Sequence, residues 1–146
     1  MSREPPLDHT ANCLNAFDDG HSTAAPSDAA WSALRDLGQL HTRLVPGFVT
    51  DTKLEPGARI VTFGNGMVVR EIIVTVDEDQ RRVVWSAVGG SLTHHNGSAQ
   101  VSLDALGATT IVWIADFLPN DAAATMDAMM ETGMAVMKQT LDRLAR

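Results

Sequence analysis

The stretch TTIVWIADFLPNDAAATMDAMMETGMAVMKQTLDRLA, from Thr109 to Ala145, decides the fold of this chain. Its first part, Thr109–Leu118, is the kind of apolar run rich in β-branched residues that forms strands, and it stops at Pro119-Asn120-Asp121. The remainder is predicted as one helix over Ala122–Ala145 and holds five of the chain's seven methionines. Because methionine is flexible and polarizable, it suits surfaces that accommodate irregular apolar partners. The pattern predicts a long helix over a sheet, with a ligand cavity between them.

The apolar residues of this helix form one stripe. At the helical repeat, Met126, Met130, Met134, Met137, Leu141 and Leu144 fall on the same side. Charged residues such as Asp127, Glu131 and Lys138 fall on the opposite side. Two interpretations of the methionine stripe stay open, because it can be ordinary core or can line a cavity, and both can hold along different turns.

The middle of the chain has the pattern of a meander. Strands are predicted over Phe48–Leu54, Ala58–Phe63, Val68–Val76, Arg82–Val88, Ser98–Leu103 and Thr109–Leu118. Turn signals such as Asn65-Gly66 separate them, and the connections are short enough to imply antiparallel neighbours. The sheet therefore has six strands, or seven with a first strand located earlier in the chain.

The residues before the meander predict short elements. A first strand is expected within Cys13–Ala25, although Asp18-Asp19-Gly20 leaves it short or distorted, and residues 1–12 are expected to be a loose tail. A helix begins at Ala25-Pro26-Ser27-Asp28, with Ser27 expected to cap its free N–H groups. A second short helix is predicted over Gln39–Leu44, before Pro46-Gly47.

Length and composition limit the possible functions. The 146 residues predict a single domain over 1–146, and 45% apolar residues provide a substantial core. A net charge of −7 without a cluster of Lys and Arg disfavours nucleic acids and anionic membrane surfaces as partners. No apolar run approaches the ~20 residues of a membrane span, and no signal-peptide pattern opens the chain, so we expect no membrane insertion and a cytoplasmic location.

Several chemistries lack their sequence signals. The chain contains a single cysteine, Cys13, and neither a Gly-x-Ser-x-Gly elbow nor a phosphate-binding loop. Gly64-Asn65-Gly66 imitates the start of a dinucleotide fingerprint, but a hairpin and not a helix is predicted there. We therefore predict no cofactor and no metal site.

The order of these elements resembles the START-like superfamily, also called SRPBCC, and in particular its bacterial polyketide cyclase/dehydrase-like branch. The resemblance is carried by APSDAAWSALRDLGQLHTRLVPG, VVREIIVTVDEDQRRVVWSAV, HHNGSAQVSL and TTIVWIADFLP, taken in this order. It implies an α+β helix-grip fold, in which a curved antiparallel sheet of six to seven strands wraps the long C-terminal helix. The two short helices after the first strand close one end of a deep cavity.

The resemblance also leaves three functions open. The first is binding of a small hydrophobic or amphipathic ligand by a monomer or homodimer. The second is an enzyme of the polyketide cyclase or dehydratase type, acting on a carbonyl compound in the same cavity. The third is a protein-interaction module, like the heat-shock ATPase activators of the superfamily.

Candidate site residues follow from strand alternation, because successive side chains point to opposite faces of a sheet. Trp85, Trp113 and Phe117 are in phase with apolar neighbours and are expected to face the helix, either as core or as ligand contacts. The helix would add Met126, Met130, Met134 and Met137 to the ligand-binding set.

Four polar residues could orient a ligand or act on it. Glu71, His95 and Asp116 are the candidate acid or base groups, and His94 is a further ligand-binding candidate. The alternative for each is a solvated side chain. Since the two adjacent histidines point opposite ways in an extended chain, at most one of them faces the cavity.

Overall fold

The computed structural model describes residues 13–16, through their backbone, and residues 22–145. The strands are β1 (Cys13–Ala16), β2 (Val49–Glu55), β3 (Ala58–Phe63), β4 (Val68–Asp77), β5 (Arg82–Val88), β6 (His94–Leu103) and β7 (Thr109–Leu118). The α-helices are α1 (Ser27–Arg35) and α2 (Ala123–Asp142). A 3-10 turn at Leu37–Gln39 and a π-helical turn at Leu40–Leu44 lead into β2, and 3-10 turns at Asn120–Ala122 and Arg143–Ala145 flank α2.

The strands described form one antiparallel sheet in the order β1-β7-β6-β5-β4-β3-β2. Strands β2 to β7 form the predicted meander, and β1 adds to its β7 edge. Register shifts between Val49 and Asp51 and between Ile73 and Thr75 mark irregularities that bend the sheet. The sheet curves around α2, so the predicted α+β helix-grip fold is confirmed.

The core fills the concave side of the sheet in two clusters. One joins α1 and the C-terminal half of α2 to the sheet, with Leu34, Met134, Met137 and Leu141 among its members. The other joins the end of β7 to the start of α2 through Ala115, Phe117, Met126 and Met130. The methionine stripe is thus buried along most of its length, whereas Leu144 is 44% exposed beyond the end of α2.

Three local predictions need correction. Strand β6 begins at His94 and not at Ser98, because the polar His-His-Asn-Gly stretch pairs fully with the end of β7. Ser27 does not cap α1, since its hydroxyl instead accepts a hydrogen bond from Arg81 Nη1 at 3.2 Å. The second short helix is a 3-10 turn followed by a π-helical turn. The predicted tail at 1–12 and the Asp18-Asp19-Gly20 interruption lie outside the described residues.

Candidate functional site

A cavity of about 440 Å³ lies between the inner face of the sheet and α2. Its wall is mainly apolar because alternate residues of the inner strands point inward, among them Val69, Val83, Trp85, Ala99 and Trp113. Helix α1, the π-helical turn and the start of β2 close one end with Leu34, Leu40, Leu44, Val45 and Val49. Met126, Met129 and Met137 of α2 complete the wall.

The mouth of the cavity lies where β5 turns into β6 and where β7 leads into α2. The turn contributes Gly89, Gly90, Ser91 and Leu92, and the junction contributes Pro119, Asp121 and Ala122. Gly89 and Gly90 adopt φ values of 97° and 72°, a left-handed conformation that glycine adopts without steric cost. The backbone amide of Thr93 donates to the Leu118 carbonyl at 2.7 Å, which ties the two segments together.

A buried ion pair forms part of the cavity wall. Arg59 on β3 and Glu71 on β4 occupy paired positions, and Arg59 Nε donates to Glu71 Oε1 at 2.8 Å. Arg59 Nη1 also donates to the Leu37 carbonyl at 3.3 Å, and its guanidinium carbon lies 5.8 Å from the centroid of the Trp85 ring. These contacts satisfy a charge that would otherwise be costly to bury.

His95 supplies the second polar group of the wall. The paired register of β5 and β6 ends at Trp85 and Gly97, and beyond it the Ala87 amide donates to His95 Nδ1 at 3.0 Å. With Nδ1 acting as acceptor, the proton of the neutral imidazole sits on Nε2. Burial, together with the neighbouring His94, lowers the pKa of His95 to about 4 against a weaker opposing effect of Asp116. The ring is therefore neutral near pH 7.

Two tryptophans stand side by side in the wall. The rings of Trp85 and Trp113 have centroids 6.4 Å apart and are tilted by 46°. Gly97 makes room for Trp85, because a Cβ atom there would lie 2.6 Å from Trp85 Cε2. Among buried side-chain polar atoms of the described residues, Trp113 Nε1 is the one without a hydrogen-bond partner. It is a further donor in this part of the wall.

The sequence candidates divide into those that line the cavity and those that do not. Glu71, His95, Trp85, Trp113, Met126 and Met137 line it. Phe117, Met130 and Met134 are buried in the core and do not line it. His94 is exposed. Asp116 is half-buried and paired with Asn96, and it lies between Ala115 and Phe117, whose side chains point to the other face of the sheet. Strand alternation directs both of these polar side chains away from the cavity.

Arg59 and Ala87 are two residues of the polar part of the wall that the candidate set lacked. Arg59 could have been found from the Asn65-Gly66 turn. The Phe63 amide donates a hydrogen bond to the Met67 carbonyl, and the same antiparallel register continues along β3 and β4 until Arg59 lies opposite Glu71. Nothing in the sequence marks Ala87 as a site residue, because its side chain is a methyl group without a polar atom. Its importance comes from its place between Glu71, its partner on β4, and His95.

A metal site and a membrane-spanning helix are both absent from the described residues. Residues 22–145 contain no group of three or more His, Cys, Asp or Glu side chains arranged to hold a metal ion. None of the helices within the described ranges combines the length and apolar character that crossing a bilayer requires.

A curved antiparallel sheet closed over one long helix, with an apolar cavity between them, defines a helix-grip domain. The family described as polyketide cyclase/dehydrase and lipid transport matches residues 19–146, so the chain belongs to that family. The resemblance identified from the sequence is thereby confirmed.

Solved structures share this fold at low sequence identity. Protein XoxI from Bacillus cereus is 14% identical, with a TM-score of 0.78 over 93% of this chain and 99% of its own. A protein from Nitrosospira multiformis is 16% identical, with a TM-score of 0.74 over 89% and 95% of the two chains. A protein from Thermobifida fusca is 22% identical, with a TM-score of 0.72 over 91% and 94%. No curated protein sequence matches the chain.

Proposed function

We propose that the chain binds a small hydrophobic or amphipathic molecule in the cavity between its sheet and α2. The observation that carries this proposal is a cavity of about 440 Å³ with a mostly apolar wall. Small-molecule sites have volumes of roughly 300–1,000 Å³ and combine such walls with a few placed polar groups. Arg59, Glu71 and His95 are those groups here. Membership of a family that includes lipid transport supports the same function.

The candidate residues take two kinds of role in this proposal. Trp85, Trp113, Met126 and Met137 contact the ligand directly, since their side chains line the cavity. Phe117, Met130 and Met134 hold that wall from behind, since they are buried outside the cavity lining. A monomer or homodimer and a cytoplasmic location stay predictions.

The direct test is mass spectrometry of small molecules released by denaturing freshly purified protein, compared with a mock purification. A stoichiometric apolar compound is the expected result. An empty cavity, together with no calorimetric binding of apolar probes, would contradict the proposal.

A pair of leucine variants shows whether the compound occupies the cavity. Ala87→Leu adds bulk to the wall between Glu71 and His95, so it should reduce the bound compound severalfold. Ala105→Leu makes the same change in an exposed turn and should retain the compound. Equal retention by two folded variants would place the compound outside this cavity.

A second function, a cyclase or dehydratase acting on a carbonyl compound, is favoured by one observation. Glu71 and His95, both candidate acid or base groups, line the same cavity. Proton transfer needs such groups within hydrogen-bond reach of the substrate. Turnover of a panel of polyketide-like carbonyl compounds is the test.

Side-chain variants then separate catalysis from binding. A Glu71→Gln protein that circular dichroism shows to be folded should lose turnover, whereas Asp116→Asn on the other face should keep it. Binding of the panel without turnover would leave the carrier function alone. An exposed apolar patch together with a filled interior would favour the heat-shock activator function, whereas the interior here contains a cavity.

A further inference from the structure

Three polar residues of the cavity wall, Arg59, Glu71 and His95, form one row with Ala87 across the inner face of the sheet. Arg59 pairs with Glu71 across β3 and β4, and Glu71 pairs with Ala87 across β4 and β5. The Ala87 amide then bonds to the imidazole of His95 on β6. The small Ala87 side chain separates the ion pair from the histidine. A ligand lying over Ala87 would therefore have polar groups on two sides.

The hydrogen bond from Ala87 determines what His95 offers to a ligand. Nδ1 already accepts that bond at 3.0 Å, so the remaining ring nitrogen, Nε2, carries the proton. Since His95 lines the cavity and is 6% exposed, Nε2–H is the donor that its ring keeps for a ligand. A ligand satisfies it only by presenting a hydrogen-bond acceptor.

The charges of the row determine what kind of acceptor fits. The Arg59 cation is already paired with the Glu71 anion at 2.8 Å, and both side chains are buried. The imidazole adds no charge, and Asp121 at the mouth is acidic. Among the described residues of the wall, a carboxylate over Ala87 would thus be a buried anion without a free cation, which is costly, whereas a neutral carbonyl would carry no such cost.

We propose that the row selects a neutral carbonyl compound whose oxygen accepts a hydrogen bond from His95 Nε2, and that it discriminates against carboxylates. This inference rests on the proposed ligand-binding function and specifies the polar group of its ligand. The rest of that ligand is apolar, to match the tryptophan and methionine wall.

Three matched probes test the selection by isothermal titration calorimetry near pH 7. They are 2-acetylnaphthalene, the hydrocarbon 2-isopropylnaphthalene and the anion 2-naphthoate, which have similar shapes and differ in the polar group. The full chain should bind the ketone at least about tenfold more tightly than the carboxylate. A carboxylate that binds as tightly as the ketone would overturn the proposal.

Two variants of His95 separate the contribution of the hydrogen bond to affinity from the contribution of apolar contacts. In His95→Leu, the affinity of the ketone relative to the hydrocarbon should fall by about tenfold, the value of one buried hydrogen bond. His95→Gln can both accept from the Ala87 amide and donate to the ligand, so it should restore part of this ratio. An unchanged ratio in His95→Leu would overturn the proposal.

A measurement on the unaltered protein covers the case in which the variants fail to fold. The infrared carbonyl stretch of bound 2-acetylnaphthalene should lie below its frequency in hexane, because a hydrogen bond weakens the C=O bond. A bound frequency equal to that in hexane would overturn the proposed contact while apolar binding stands. If none of the three probes binds and the purified protein releases no compound, the ligand-binding function fails and the selection for carbonyl compounds fails with it.

Discussion

Arg59 Nε donates to Glu71 Oε1 over 2.8 Å between side chains that are only 5% and 9% exposed. The two residues lie opposite each other on β3 and β4, so the sheet itself holds the pair together in the cavity wall. Removing one partner of a buried pair leaves an uncompensated charge, whereas replacing both with apolar residues need not. The pair is therefore sensitive to single substitutions.

We expect Glu71→Gln to lower the free energy of unfolding by about 3 kcal/mol, because it leaves the Arg59 charge unpaired in the wall. The double variant Arg59→Met/Glu71→Leu should cost clearly less than Glu71→Gln. Urea denaturation followed by circular dichroism measures both values.

The exposed pair of Arg70 and Glu55, with side chains 46% and 41% exposed at 2.7 Å, provides the control. Glu55→Gln should change the free energy of unfolding by less than about 1 kcal/mol. Equal losses for Glu55→Gln and Glu71→Gln would show that burial of the Arg59–Glu71 pair is not what makes it sensitive.

The second prediction concerns acid stability. The pKa of His95 falls to about 4 in the folded chain from an ordinary value of 6.5. Below the ordinary value the unfolded chain binds a proton that the folded chain does not, so stability should fall as the pH drops from about 6.5 to about 4. The full loss is about 3 kcal/mol.

Urea denaturation across this pH range measures the effect. His95→Gln should remove most of the pH dependence, while His94→Gln, at an exposed position, should retain most of it. The same dependence in wild type and His95→Gln would assign it to other groups.

The third prediction uses two glycines that face aromatic rings. Gly97→Ala should lower the free energy of unfolding by about 2 kcal/mol, because the new Cβ would lie 2.6 Å from Trp85 Cε2 and the ring must shift. Gly133→Ala meets Trp113 and Phe48 at 3.0 Å and 3.1 Å and also gains helix propensity of about 1 kcal/mol, so the net change should be smaller. Thermal and urea denaturation compare the two. A larger loss for Gly133→Ala would contradict the packing described around Trp85.

The fourth prediction concerns Asp142, near the end of α2. Its carboxylate accepts hydrogen bonds from Thr23 and Ala24, in the segment before α1. Burial alone would raise the pKa of Asp142, but hydrogen bonds from Thr23 Oγ1, the Ala24 amide and Lys138 Nζ outweigh it and hold the pKa below 3.8. The contribution to stability is therefore present above the ordinary pKa and is lost as the pH falls through the folded value.

Asp142→Asn should cost about 1 kcal/mol near neutral pH, a modest value because the carboxylate is partly exposed. The difference from wild type should shrink in acid. Asp127→Asn, at an exposed position of α2, is the control and should change little. Urea denaturation at neutral and acid pH measures these differences, and a difference that grows in acid would have the wrong sign for this mechanism.

Strand order and most strand bounds follow from the sequence because turn residues interrupt clear apolar runs. Strands β3, β5 and β7 have the predicted bounds, each beside a turn with a strong local signal. The start of β6 at His94 was missed, because backbone pairing with β7 outweighs the low strand propensity of the histidine-asparagine-glycine stretch. Local propensity does not contain that long-range pairing.

The cavity wall was less predictable than the fold. Helical periodicity places Met130 and Met137 in one stripe, yet Met130 packs against Phe117 while Met137 borders the cavity. That division depends on where the curved sheet approaches α2, which periodicity does not specify. The inward position of Glu71 depends on its hydrogen bond with Arg59, since an isolated buried carboxylate is unfavourable. The sequence alone does not indicate that pairing.

The neighbouring indoles of Trp85 and Trp113 give the protein a built-in optical reporter. The chain has three tryptophans and no tyrosine, and the remaining indole, Trp31, is bonded to Glu78 through its Nε1 at 2.8 Å. Two of the three chromophores therefore border the space that a guest molecule would enter, at a centroid distance of 6.4 Å at which their transitions couple. Entry of a guest should alter emission and near-ultraviolet circular dichroism together, without any attached dye.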